Sequence, residues 1–164
     1  MTTNNAINNN LLDASAKSIV FSPSTSGLVG TPTNNDASVG IVGEFVSSFI
    51  SGGAAFPSGA THDLTSIALS AGDWDIQGYI TFVCSATLDN VSIWTNTTSA
   101  MGPGPQLTTE FVPTVAAGFS SLTLQVPYRR ISTASPLTLY ISGDLNLTSG
   151  TCTAYGGVFA RRAR

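Results

Sequence analysis

Few residues in this 164-residue chain have the types and spacing that chemistry requires. The one histidine, His62, is followed by Asp63 in a stretch rich in Gly and Ala. A nucleophilic triad needs an imidazole held between an acid and a hydroxyl, and no G-x-S-x-G turn frames a serine. His62 therefore reads as a solvated loop residue. Asp73 and Asp75 stand two apart, which on a strand sends both carboxylates to one side. Such a pair raises one carboxyl pKa or recruits a cation such as Ca²⁺. That ion takes about six to eight oxygens, and no D-x-D-x-D-G loop surrounds the pair. Glu44 and Glu110 are isolated, so no glycosidase-like pairing is supported. The reading is of a chain with no catalytic residue, no cofactor and no metal, and hence of a non-enzyme.

Two further sets of residues point to assembly. Cys84 and Cys152 are too few for a disulfide scaffold and lack metal spacing. If their strands are neighbours, a disulfide would close a loop of 67 intervening residues. Synthesis in the cytosol favours reduced thiols packed in the core, and that is the expectation. Five of the six cations are Arg129, Arg130, Arg161, Arg162 and Arg164. A nucleic-acid surface needs a broader basic stripe with interleaved aromatics. The tail is either a solubilising terminus or a set of guanidinium forks that pair with another subunit. Tyr155 and Phe159 share the side of the last strand opposite Val158, so Tyr155, Phe159, Arg161, Arg162 and Arg164 form the candidate subunit interface. The competing reading makes Tyr155 and Phe159 a second buried face.

The elements that must position these residues follow from composition and alternation. Charged residues are 9% of the chain, against about 25% in typical soluble domains. Lysine occurs once, whereas Thr, Ser and Asn number 21, 21 and 10. Coiled coils and helical bundles are disfavoured, and a net charge of −3 is too low for charge-driven disorder. The acidic balance argues against bulk nucleic-acid binding. No apolar run is long enough to span a bilayer, and Met1–Asn5 has neither a basic nor an apolar region, so no secretory signal is expected. Residues 1–38 carry seven Asn and only small apolar groups, Leu11-Leu12, Ile19-Val20-Phe21 and Leu28-Val29. They read as an extended arm that orders against a partner. From residue 39 onward period-two alternation dominates. Trp74, Ile76, Gly78, Ile80, Phe82 and Cys84 fall on one side of a long strand. Further strands are expected over residues 40–50, 64–69, 88–95, 107–112, 122–126, 137–141 and 152–160. About eight antiparallel strands and no helix predict an all-β jelly roll or β-sandwich behind an N-terminal arm.

Three segments carry a resemblance. Asp63-Leu-Thr-Ser-Ile-Ala-Leu-Ser-Ala-Gly-Asp-Trp-Asp-Ile-Gln-Gly-Tyr-Ile-Thr-Phe82, Ser135-Pro-Leu-Thr-Leu-Tyr-Ile-Ser142 and Ala154-Tyr-Gly-Gly-Val-Phe-Ala-Arg-Arg162 resemble segments of small structural proteins of tailed bacteriophages. Val39-Gly-Ile-Val-Gly-Glu-Phe-Val-Ser47 resembles the entry to the same module, so the likeness spans residues 39–164. In such proteins the module is similar to the trimeric jelly roll of tumour-necrosis-factor and C1q heads. The resemblance implies a virion surface protein made in the host cytoplasm, a homotrimer serving as capsid decoration or head spike. Leu11, Leu12, Ile19, Val20 and Phe21 would attach it to the major capsid protein or another virion protein. The alternative is a receptor-binding tip of a tail or baseplate fibre, reading a host glycan or receptor near the loop 99–106 and Trp94, whose competing reading is a core residue. Neither nucleic acid nor membrane insertion is expected.

Overall fold

A computed structural model of the chain describes residues 37–85, 87–102, 108–111 and 121–163. All of them belong to one compact unit, Asp36–Arg164. The expected arm residues Leu11, Leu12, Ile19, Val20 and Phe21, together with Arg164, lie outside the described residues.

The alternation folds as it reads. Where one side of a strand is apolar and the other carries Thr, Ser or Asn, the apolar side must face a second sheet. The described residues contain nine strands and no helix: β1 Phe45–Ala55, β2 His62–Leu69, β3 Gly72–Cys84, β4 Leu88–Asn96, β5 Thr108–Phe111, β6 Leu122–Gln125, β7 Arg129–Thr133, β8 Leu137–Leu147 and β9 Cys152–Arg162. One sheet has the order β1-β9-β3-β6, with β7 also paired to β3; the other runs β2-β8-β4-β5. Every pairing between these strands is antiparallel. β6 pairs with Tyr79–Phe82 and β7 with Gly72–Ile76, so the two are halves of one interrupted strand along the same edge of β3. Counted that way, eight strands cross between the sheets in the winding of a jelly roll.

The core lies between the sheets. Trp74, Ile76, Ile80 and Phe82 of β3 pack against Val91 and Ile93 of β4, Leu139, Ile141 and Leu145 of β8, and Ala154, Val158 and Ala160 of β9, all fully buried. Phe56 stacks edge-on to Phe82 at 5.3 Å and closes one end.

Three strand expectations shift by more than two residues. The first strand begins at Phe45 rather than Gly40, because Gly40 and Gly43 adopt φ of 85° and 93°, a left-handed backbone that ends extended structure. The eighth continues six residues past Ile141. β7 was not expected at all: Arg-Arg-Ile-Ser-Thr has a single aliphatic residue and no period to detect.

The thiol expectation is overturned. Cys84 and Cys152 stand directly opposite each other at the end of the β3–β9 ladder and form a disulfide, with Cα atoms 4.1 Å apart. Both are on the core side of their strands, so register alone brings the sulfurs together.

Candidate functional site

β9 is an interior strand of its sheet, flanked by β1 and β3, and strand periodicity decides what its residues do. Cys152, Ala154, Val158, Ala160 and Arg162 point inward, while Thr153, Tyr155, Phe159 and Arg161 alternate with them on the outside. The candidate interface therefore divides. Tyr155 and Phe159 are half-buried on the outer face and Arg161 is exposed there, so they are not a second core.

Arg162 is corrected: it is 5% exposed and belongs to an internal latch rather than to a free surface. Its Nε donates to Glu44 Oε2 at 2.8 Å, Nη1 donates to Ala71 O at 2.7 Å, and Nη2 donates to Ser70 Oγ. The guanidinium carbon lies 4.3 Å above the Trp74 ring, a cation–π contact. Glu44 Oε2 also accepts the Gly40 amide at 2.8 Å. Burial pushes the Glu44 carboxyl up, but the Gly40 amide and the Arg162 guanidinium outweigh it and hold its pKa below the ordinary 4.5.

On the outer face of this sheet four aromatic rings meet. Phe45 and Phe159 are 5.8 Å apart, Phe49 and Phe159 6.3 Å, and Phe49 and Tyr79 6.2 Å. Phe49 remains 48% exposed. Its ring lies over Gly157, where an added Cβ would come within 2.5 Å of Phe49 Cδ1 and 2.2 Å of Ser48 O. The outer side of the other sheet carries mostly polar side chains, with Trp94 in phase among them and buried beneath the loop 97–102. Asn90, Ser92 and Asn96 of β4 pair with Asn146, Asp144 and Tyr140 of β8.

Beyond Phe159 sits an ion pair. Asp75 accepts Arg130 Nε at 2.7 Å and Nη2 at 2.9 Å, and the Tyr128 hydroxyl donates to it at 2.5 Å. The Arg130 guanidinium, with help from the Tyr128 hydroxyl, holds the Asp75 carboxyl below the usual aspartate value. The hydrogen bond to Asp75 raises the Tyr128 phenol in turn. Asp75 thus has a guanidinium partner, and among the described residues no group of three or more His, Cys, Asp or Glu could hold a metal.

The other chemistry-bearing residues are structural in their contacts. His62 is corrected from a solvated loop: it opens β2, half-buried, with its ring edge-on to Phe56 at 5.6 Å. Asp63 accepts Ser142 Oγ and Ser99 Oγ, both at 2.6 Å, and the Ala100 amide, pinning the loop 97–102. That loop covers Trp94, whose indole donates to Met101 O at 2.9 Å. Trp94 is 1% exposed, so of its two readings the buried one holds and the exposed, receptor-reading one is corrected; residues 103–106 lie outside the described ones. Sequence reasoning missed the Tyr128–Asp75–Arg130 group, because Tyr128 sits outside any alternating run. No known protein family, curated protein or solved structure matches this chain.

Proposed function

We propose that this protein is a structural component of a bacteriophage particle, a homotrimeric jelly-roll domain that decorates the capsid or forms a head spike and is attached through residues 1–38. The likeness of residues 39–164 to phage surface modules supports the virion assignment. The observation that carries self-association is the asymmetry of the sandwich. On one outer face Trp94 is covered by the chain's own loop among largely polar neighbours, whereas the other gathers Phe45, Phe49, Tyr79 and Phe159 around a half-exposed ring. Aromatic clusters of this kind are enriched at the centres of subunit contacts. The low charge of the chain suits the same role, since copies approach one another with little long-range repulsion.

Light scattering coupled to size exclusion tests the assembly. The full chain is expected to elute as a trimer at micromolar concentration, and Phe49→Ser to shift it toward monomer without lowering the thermal midpoint of the monomeric fold. A monomeric wild-type protein overturns the trimer. The virion location is tested by gold-labelled antibody against this chain on intact particles, where labelling of heads supports the proposal and labelling confined to tail fibres favours a receptor-binding tip.

A further inference from the structure

The disulfide lies away from the aromatic face. Cys84 and Cys152 form the last registered pair of β3 and β9, and both are 4% exposed. The chain enters the unit at Ala37, which bridges to Glu44 beside Arg162, at the opposite end of the same ladder. Ten residue steps separate the pairs Trp74–Arg162 and Cys84–Cys152, a span of roughly 33 Å at the rise of a strand. Both cysteines belong to the core, so their bond opens or closes without touching Phe45, Phe49, Tyr79 or Phe159.

More than sulfur holds this end of the ladder. Ser85 N donates to Thr151 O at 2.9 Å, and Thr151 N donates to Ser85 Oγ at 3.0 Å. Phe56 N donates to Cys152 O at 2.9 Å, and the Phe56 ring meets Phe82 edge-on at 5.3 Å. These contacts keep the two cysteines opposite each other whether or not they are joined. The cross-link therefore stabilises a fold that other contacts already define. A chain made in a reducing cytoplasm can reach that fold as a dithiol.

The two cysteines differ in access. Cys152 lines a surface cavity of about 330 Å³ together with Phe56, Pro57, Leu147 and Thr151, whereas Cys84 does not line it. Thiol–disulfide exchange requires one sulfur to meet a reagent arriving from solvent. Of the pair, the cavity gives that approach to Cys152.

We propose that this bond is a lock closed after the chain leaves the reducing cytoplasm, with Cys152 the thiol that meets the oxidant and Cys84 the thiol that resolves it. The oxidant is a small disulfide such as oxidised glutathione. The Cys152 thiolate attacks one of its sulfurs, forms a mixed disulfide and expels the first small thiolate. The Cys84 thiolate then attacks Cys152 Sγ and expels the second. The two protons lost by the cysteines end on the two small thiols released, and the small disulfide takes up the two electrons. The timing rests on the reading of a particle protein made in the host cytoplasm; the order of the sulfurs does not.

The chemistry is tested by reducing the full-length protein with a phosphine, adding oxidised glutathione and following the products by mass spectrometry. The reduced protein is expected to keep its far-ultraviolet spectrum and elution volume and to melt at a lower midpoint. Loss of the cooperative transition on reduction overturns the proposal. Cys84→Ala should hold a glutathione adduct on Cys152, formed about tenfold or more faster than the adduct on Cys84 in Cys152→Ala. Acid-quenched wild-type samples, mapped by peptide, should place the transient adduct on Cys152, which reads the same order without a variant. Equal rates, or an adduct found first on Cys84, overturn that order. Alkylation in acid-quenched producing cells should find both thiols reduced, and protein recovered from the medium should carry the bond. A bond closed inside the cells, or thiols still reduced in the medium, overturns the lock. Absence of the chain from purified particles overturns the virion reading instead and leaves the order of the sulfurs standing.

Discussion

Arg162 concentrates more of the fold than any other polar residue described. Its guanidinium joins the start of β1 through Glu44, the β2–β3 turn through Ser70 and Ala71, and the core through Trp74. Both members of the pair are buried, with side chains 6% and 8% exposed, so removing one leaves a charge without its counter-ion. Arg162→Met is expected to cost about 3–5 kcal/mol in chemical denaturation. The pH dependence has a definite sign. Because the folded Glu44 pKa lies below 4.5, its contribution is fully present above that value and is lost as pH falls through the lower folded value. Thermal midpoints measured from pH 6 down to pH 3 should therefore fall at the acid end, and less steeply in Glu44→Gln. Asp63 makes a second prediction. Asp63→Ala releases the loop over Trp94 and should shift part of the tryptophan emission to the red, while Trp74 stays buried. The sequence reading put Arg161 and Arg162 in one interface, although strand parity separates them, since Arg162 is in phase with Cys152 and Val158. The strand had only to be continued two residues to show it. The carboxylate that meets Arg162 lies 118 residues away, a separation that no local pattern carries.

The β3–β9 ladder is the element on which the sandwich is built, with eleven registered pairs from Trp74–Arg162 to Cys84–Cys152. The disulfide closes its far end and cross-links residues 68 apart in sequence. In the chain-entropy account, replacing both cysteines with Ala should cost roughly 4 kcal/mol, readable as a lower denaturation midpoint under non-reducing conditions. β3 was legible because its apolar and polar sides alternate almost without error, and the sequence put Cys84 and Cys152 on core faces. Which strand lies beside β3 was not legible, because pairing between distant segments depends on the whole winding, and so the bond itself was missed. β7 hid for another reason: the strand is broken at 126–128 into two short runs, of which the first, β6, alternates visibly and the second is polar. Glycine in β9 also has a packing role that alternation does not reveal. Gly157 lets β1 and the Phe49 ring approach, and Gly157→Ala would set a methyl 2.2 Å from a backbone oxygen. That substitution is expected to destabilise by about 1–3 kcal/mol in urea denaturation, because the Ser48 backbone must move.

At the scale of the whole molecule, scarce charge and two unlike sheet faces belong together. Thr, Ser and Asn solvate the outer strands without fields that repel a second copy, and the few ions are spent on internal tasks, at Glu44–Arg162 and Asp75–Arg130. The same accounting bears on residues 1–36. The buried core is drawn from Phe56 through Ala160, and the latch that ties the ends of the sandwich needs only Glu44 and Arg162. Both the described core and the latch lie within the unit Asp36–Arg164, which therefore carries a hydrophobic core of its own. A chain beginning at Ala37 should therefore keep the far-ultraviolet spectrum and the thermal midpoint of the full protein. If the first segment is the attachment arm, the shortened chain should also fail to bind particles while remaining folded and oligomeric. A midpoint lowered by more than a few degrees would mean that residues 1–36 pack on the sandwich. Undiminished particle binding by the shortened chain would place the attachment on the jelly roll itself.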